Sequence, residues 1–306
     1  VIVTVTLNTA LDITYRVPAL VPHASHRVEE VVERPGGKGV NVARVLAALG
    51  HEAVVTGFAG GPSGEVLRAR LAGLAPRDEL VPVQGDTRRT IAVVDAASGD
   101  TTQLNEPGPL VSPAEWEAFL AVYGRLLADA DAVALCGSLP PGLPVGAYAQ
   151  LVRLARTAQV PVLLDTSGEP LRRGIAARPD LVKPNLDELA QLTGSREPLR
   201  AARDARRRGA RTVVASLGAD GLLAASSEGL WQAAPPAAVR GNPTGAGDSA
   251  VAGLLSGLVE GLDWPQRLTR AVALSAATVL APAAGEFDRE AYEKMLGSVR
   301  VSEHAH

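Results

Sequence analysis

Asn242-Pro243-Thr244-Gly245-Ala246-Gly247-Asp248, running without a break into an Ala/Leu-rich stretch that ends at Glu260, organises the reading of the whole chain. Gly245 and Gly247 let the backbone turn tightly or approach a ligand closely. The N–H groups of Ala246, Gly247 and Asp248 would then stand at a helix N-terminus, where an anion is favoured. A carboxylate at that point can act as a base if the anion is a phosphate and the attacker is a neighbouring hydroxyl. Equally, Asp248 can simply cap its helix. The segment also fits a dinucleotide turn, Gly245-x-Gly247-x-x-Ala250, which would make the protein a nicotinamide-dependent oxidoreductase. That turn normally leaves a strand directly, usually the first of its fold, whereas this one follows Gly241-Asn242-Pro243 late in the chain. No Walker A sequence is present, because Lys38 is followed by Gly39.

Outward from this segment, helical and extended patterns alternate. Helices are expected at Val40 to Leu49, Gly64 to Leu74, Pro113 to Leu127, Pro144 to Ala158, Asn185 to Leu192, Pro198 to Arg208 and Asp248 to Glu260. Between them lie short apolar runs at Ala53 to Phe58, Ala132 to Leu135, Val160 to Leu164, Leu181 to Lys183 and Thr212 to Ser216. Short strands that are apolar throughout, set between helices, indicate an α/β fold with a mostly parallel sheet covered on both faces. Two regions break the rhythm. Asp12 to Val32 and Thr87 to Leu104 read as hairpins, the second turning at Ser98-Gly99-Asp100, and together as a small β-layer projecting from the main body.

The 306 residues are 46% hydrophobic and 21% charged, enough for one large α/β domain. A net charge of -3 offers no global positive field for nucleic acid or an anionic membrane. The basic run Arg196 to Arg211 is interrupted by Glu197 and Asp204 and lacks aromatics, so it reads as a solvated helix face. Ala132 to Val152 is long and uncharged, but its prolines and glycines rule out a lipid-facing helix. Val1 to Leu7 reads as a strand without a basic leader, and the cytoplasm is the expected location. Cys136 has no thiol partner and reads as a small buried hydrophobe. Of 30 basic Lys and Arg residues, the lysines are Lys38, Lys183 and Lys294, and two of these fall inside motifs.

Gly36-Gly37-Lys38-Gly39-Val40-Asn41 is a second set of glycines opening a helix, with Lys38 and Asn41 as donors on its first turn. Lys183-Pro184-Asn185-x-x-Glu188 ends a strand at proline and sets an amide and a carboxylate three residues apart on one helix face. Such a pair can hold a hydrated Mg²⁺ and its phosphates. It is also the spacing of an N-cap with its capping-box glutamate.

Together these motifs resemble the PfkB, or ribokinase-like, carbohydrate kinases over nearly the whole chain. In order they are Leu7-Asn8-Thr9-Ala10-Leu11-Asp12, Gly36-Gly37-Lys38-Gly39 with Asn41, Gly137-Ser138-Leu139-Pro140-Pro141-Gly142, Lys183-Pro184-Asn185-x-x-Glu188, Ser216-Leu217-Gly218-Ala219-Asp220-Gly221 and Gly245-Ala246-Gly247-Asp248. The opening with Asp12 is most similar to the branch of 1-phosphofructokinases and tagatose-6-phosphate kinases. The resemblance implies one three-layer α/β/α domain over residues 1–306, with a lid formed by about 12–33 and 86–106. It implies ATP and Mg²⁺ as cofactors and a ketohexose phosphate as acceptor. Tagatose 6-phosphate or fructose 6-phosphate would be phosphorylated at the 1-hydroxyl; the alternative is a 1-phosphofructokinase converting fructose 1-phosphate to the 1,6-bisphosphate. By motif, Asp248 is the base, with the backbone of Gly245, Ala246 and Gly247 as anion hole. Asp12, Gly37, Lys38, Asn41 and Ser138 face the sugar. Lys183, Asn185 and Glu188 organise Mg-ATP, Glu188 meeting the metal through water, and Ser216, Gly218, Gly221 and Ser275 line the nucleotide site. Arg27 and Arg88 are candidates for the substrate phosphate, since guanidinium forks suit it. Arg89 would point to the opposite strand face, and His26 reads as a surface lid residue. Thr87-Arg88-Arg89-Thr90, Gly108-Pro109 and Asn242-Pro243 are closer to the tagatose-6-phosphate kinases. A homodimer through the lid is expected, because a small sheet with one apolar face must cover it.

Overall fold

Ile2–Thr6 is apolar or threonine throughout and buried at every position, as befits the centre of a sheet covered on both sides. The computed structural model describes residues 1–304. From this strand, β1, the chain runs through β2 (Ala10–Val17), β3 (Glu30–Gly36), α1 (Lys38–Ala48), β4 (Ala53–Ala59), α2 (Gly61–Ala72) and β5 (Arg77–Pro82). There follow β6 (Arg88–Asp95), β7 (Thr101–Asn105), α3 (Pro113–Leu127), β8 (Ala132–Cys136), α4 (Ala147–Thr157), β9 (Val162–Asp165), α5 (Gly168–Ala176) and β10 (Leu181–Val182). The remainder holds α6 (Leu186–Thr193), α7 (Pro198–Arg207), β11 (Thr212–Ser216), β12 (Leu222–Ala225), β13 (Leu230–Ala234), α8 (Ala246–Val259), α9 (Trp264–Val279), α10 (Arg289–Leu296) and β14 (Arg300–Glu303).

The main sheet has ten strands in the order β14-β13-β12-β11-β10-β9-β8-β1-β4-β5. From β11 to β5 every pairing is parallel; from β11 to β14 every pairing is antiparallel. Alternate residues of each strand serve opposite cores. Val3, Val5 and Leu135 face a cluster with Phe119, Tyr123, Tyr148 and Leu151 from α3 and α4. Ile2, Ala134 and Val55 face the other side, with Leu46, Leu67, Leu254 and Leu274 from α1, α2, α8 and α9. This is the expected three-layer α/β/α arrangement.

A separate four-stranded sheet has the order β3-β2-β6-β7. β2–β3 and β6–β7 are antiparallel, as the hairpin reading anticipates, but the two pairs join through a parallel β2–β6 ladder that starts at Ala10 opposite Arg88. The chain enters this sheet from β1 and returns from β3 straight into α1 through Gly37, whose φ of +105° needs glycine. Both crossings therefore end beside the C-terminal edge of the parallel strands, where open α/β sheets bind ligands.

Several elements differ from the sequence expectation. The helix expected from Pro144 begins only at Ala147, because Pro144 and its neighbours form a turn closed by Ala147 N–H to Pro144 O at 2.9 Å. β10 stops at Val182, since Pro184 cannot extend a ladder. Helices α5, α9 and α10 and strands β5, β12, β13 and β14 were not expected at all. No described helix is long and apolar enough to cross a membrane.

Candidate active site

α8 begins where the glycines require. Gly245 takes the left-handed conformation (φ +84°), and a Cβ there would stand 2.7 Å from Ala284 Cβ. The N–H of Ala246 donates back to Pro243 O at 3.1 Å, and that of Ser249 to Gly245 O at 2.9 Å. Of the N–H groups read as an anion hole, that of Ala246 is thus taken up by Pro243 O, while those of Gly247 and Asp248 are left over at this helix start. Asp248 does not cap its own helix. Its carboxylate is buried and its Oδ2 accepts from Asn41 Nδ2 at 2.9 Å, across from the first turn of α1. Burial pushes the Asp248 carboxyl up to about 6; the Lys38 ammonium and the Asn41 bond oppose that rise, and the Asp165 charge adds to it.

Asp165 is the residue that sequence reasoning missed. It ends β9, is 1% exposed, and stands between two of the three lysines: Lys38 Nζ lies 3.5 Å from its Oδ2 and Lys183 Nζ 3.6 Å from its Oδ1. The sequence reading ended that strand at Leu164, so a carboxylate closing an apolar run was the signal available. Asp165 raises the Lys38 pKa above that of an ordinary lysine, keeping the ammonium charged. Lys183 is buried, and its Nζ lies 3.5 Å from where a Cβ on Gly247 would stand. A developing negative charge at the start of α8 would therefore meet two N–H groups and a nearby ammonium. Cys136, at the end of β8, is fully buried, and burial holds its thiol well above the usual range.

At the lid side, Asp12 is partly buried on β2 against Gly36 and accepts from Thr90 Oγ1. Desolvation raises its pKa, opposed by the Thr90 bond and by the Arg88 and Arg44 charges. Arg88 is half-buried, and its hydrogen bonds go to backbone carbonyls, Asn8 O at 3.2 Å and Glu106 O at 3.4 Å. Its neighbour Arg89 points to the other face and pairs with Glu106 at 2.7 Å. Ser138 follows β8 and its Oγ accepts from Asn8 Nδ2 at 3.1 Å. Arg27 is not brought to this group; it lies exposed in the 18–29 connection between β2 and β3. His26 braces that connection by accepting from Val21 N–H at 2.8 Å.

On the other side of α8 lies a cleft of about 600 Å³. Ser216, Gly218, Gly221 and Ser275 all line it, together with Ala246 and Gly247 at its inner end. Leu222, Val239, Val272 and Val279 make its walls apolar, which suits a flat heterocycle whose phosphates point toward α8. Lys183 and Asn185 flank the inner end, Asn185 bridging to Ser216 in the sheet.

Asn185 and Glu188 do form a capping box: Glu188 N–H donates to Asn185 Oδ1 at 2.8 Å, and Asn185 N–H to Glu188 Oε2 at 2.9 Å. That leaves Glu188 Oε1 free of the box, one hard oxygen fixed in orientation. Among the described residues no cluster of three or more His, Cys, Asp or Glu could hold a metal unaided. One oriented carboxylate oxygen beside a phosphate cleft fits a Mg²⁺ that arrives with its nucleotide and keeps most of its water. The basic run around the end of α7 does not join the site; Arg207 and the following Arg208 pair with Asp204, and Arg211, just before β11, with Asp180.

Residues 5–290 match the model of the pfkB family of carbohydrate kinases. A protein of Rhodobacter capsulatus named 1-phosphofructokinase is 40% identical over 289 residues, covering 92% of each chain. The tetrameric inhibited form of phosphofructokinase-2 from Escherichia coli superposes with a TM-score of 0.89 at 30% identity, covering 97% of this chain and 98% of that one. Ribokinase of Arabidopsis thaliana, at 22% identity and a TM-score of 0.74 over 96% of this chain and 98% of that one, shares the fold.

Proposed function

The chain belongs to the pfkB family of carbohydrate kinases, and from that premise we propose that its acceptor is a fructose phosphate, fructose 1-phosphate first, which it converts to a bisphosphate. It is an ATP-dependent carbohydrate kinase; the assignment as an oxidoreductase falls with the family, and α8 follows a loop and not a strand. The observation that carries the reading is Asp248: a buried carboxylate, raised to about 6, held by Asn41 and set between a nucleotide-sized cleft and the lid.

In the proposed reaction the free primary hydroxyl of the sugar gives its proton to Asp248 as its oxygen bonds to the terminal phosphorus of ATP. The bridging P–O bond breaks and its electron pair leaves with ADP. Positioning and charge stabilisation supply most of the rate in phosphoryl transfer. The N–H groups of Gly247 and Asp248, with Lys183 close by, would receive the charge that develops on the transferred group. Mg²⁺ carried by ATP would be met by Glu188 through water and would neutralise the phosphate oxygens. Asn185 keeps the Glu188 carboxylate turned for that contact. Asp12, Asn41 and Ser138 would hold the sugar hydroxyls.

Arg88 supports a phosphorylated acceptor. A half-buried guanidinium bonded only to carbonyls has fork geometry and charge to spare for an anion. The name of the 40% identical relative favours fructose 1-phosphate. Asn242-Pro243 and the Thr87-Arg88-Arg89-Thr90 run favour a second reading, tagatose 6-phosphate or fructose 6-phosphate phosphorylated at the 1-hydroxyl. Measuring kcat/KM for the three phosphosugars side by side, with free fructose and ribose as controls, decides between them. We expect fructose 1-phosphate to lead and the free sugars to trail by orders of magnitude. A free sugar that outcompetes all three overturns the phosphosugar reading.

A further inference from the structure

Three chain segments cross between the two sheets beside Asn8. They are the β1–β2 turn that carries it, the start of β6 at Arg88, and the strap from Glu106 to Gly108 that leaves β7. Asn8 is 5% exposed. Its Nδ2 donates to Pro107 O and to Ser138 Oγ, both at 3.1 Å. Its backbone carbonyl accepts from Arg88 Nε at 3.2 Å, while Arg88 Nη1 reaches Glu106 O at 3.4 Å. Gly108, at φ +102°, comes so close that a Cβ would stand 2.2 Å from Asn8 Oδ1. A hydroxyl from the main sheet and a guanidinium from the lid sheet thus hang on one amide residue and the strap it pins.

We propose that Asn8 is a positioning residue for the sugar-phosphate end of the site, presetting Ser138 through its side chain and Arg88 through its carbonyl and the pinned strap. The inference rests on the reading of Arg88 and Ser138 as phosphosugar contacts. Without the amide, Pro107 O and Ser138 Oγ lose a shared donor, and the strap that carries Glu106 O is released. Arg88 then keeps its charge but loses the fixed direction of its fork, so binding the phosphate must first order it. Asn8 has no hydrogen bond to the nucleotide side, so the loss should fall on the sugar alone.

The test is a cycle of Asn8→Ala, Arg88→Ala and the double variant, read as separate kcat and KM values for the preferred phosphosugar and for ATP. Asn8→Ala should raise the phosphosugar KM about tenfold or more, with the ATP KM within twofold and kcat within threefold. In the double variant Asn8→Ala should add less than threefold to the effect of Arg88→Ala, because residues that act through one another are not additive. A merely structural role would move both KM values and multiply with Arg88→Ala, and either result overturns the proposal. If Arg88→Ala raises the phosphosugar KM and Asn8→Ala does not, the proposal fails while the site reading stands. If Arg88→Ala itself is silent, the site reading fails and takes the proposal with it. Should Asn8→Ala not fold, Asn8→Ser, smaller than asparagine and too short to reach both Pro107 O and Ser138 Oγ, is judged by the same numbers.

Discussion

Burial sets Asp248 apart: it makes the charged carboxylate costly to the fold and, on the proposed reading, fits the group to take a proton near neutral pH. An aspartate in an unfolded chain ionises near 3.9, whereas here burial chiefly raises it to about 6. Below about pH 4 the group is neutral in both states and contributes nothing to the balance. Between about pH 4 and 6 the unfolded chain gives up this proton while the folded protein keeps it, so stability from this group falls across that window by about 3 kcal/mol at most and stays lost above, where both states carry the charge. Asp248→Asn removes that penalty. It should melt above the wild type at pH 8, with the gap closing toward pH 4, while kcat drops ~10²- to 10⁴-fold, the scale for a removed general base. Wild-type kcat should show an acidic limb near pH 6 that the variant lacks. A variant with undiminished kcat would reduce Asp248 to a packing residue. Asn41 faces the sugar by its motif alone; the structure adds that its amide donates to the Asp248 carboxylate and fixes that group's orientation. Asp165 was unreadable in advance because its meaning lies in partners distant in sequence, Lys38 being 127 positions away.

At the level of elements, the two glycines that open α8 do different jobs, and alanine at each separates them. Gly245→Ala puts a Cβ on a left-handed residue and against the Ala284 backbone at 2.8 Å, so it should lower the melting temperature, the backbone conformation alone costing about 1–2 kcal/mol. Gly247 has ordinary helical geometry, and its Cβ would meet only Lys183 Nζ, at 3.5 Å. Gly247→Ala should therefore leave the melting temperature unchanged or slightly raised, yet lower kcat by filling space a phosphate would use. Thermal melts and steady-state kinetics on the pair check this; equal melting temperatures would refute the division. Elements whose ends carry strong local signals were legible beforehand. α3 begins at Pro113 behind a Ser112–Glu115 capping box, and β11 spans Thr212–Ser216 as the pattern indicates. α5 hid behind Gly168-Glu169-Pro170, which reads as a breaker, although a proline in the first turn forfeits no hydrogen bond. α9 also escaped the sequence reading, although its Asp263–Gln266 capping box and the Trp264, Leu268, Ala271, Val272 spacing were signals available in it. The second hairpin of the small sheet was visible from its turn at Ser98-Gly99-Asp100 and the first from its break in rhythm, but their parallel junction through β2 and β6 was not, since no local pattern encodes which distant strand will pair.

On the scale of the whole molecule, the small sheet leaves an apolar face bare. Val31 on β3 is 56% exposed and Leu104 on β7 58%, with Val28 and Val21 exposed on the adjoining connection. A four-stranded sheet with this much bare apolar surface is better covered than wet, and we propose a second copy of the chain as the cover. Light scattering at micromolar concentration should give a dimer, and Val31→Arg with Leu104→Arg should give a folded monomer, because neither side chain is needed by the interior. A wild-type monomer over that range would contradict the proposal. The joining of β2 to β6 also sets an order of events during synthesis. All four lid strands have emerged once residue 105 has left the ribosome, whereas β1 still lacks its neighbour β8, which ends at Cys136, and Asp248 is far from being made. Closing the loop between β2 and β6 needs only β3 and the α1-β4-α2-β5 unit between them, a modest entropic cost. If two copies pair through this sheet as proposed, two nascent chains on one messenger can meet there before either has made Asp248, and subunit pairing is then open to selection earlier in the life of the protein than activity is.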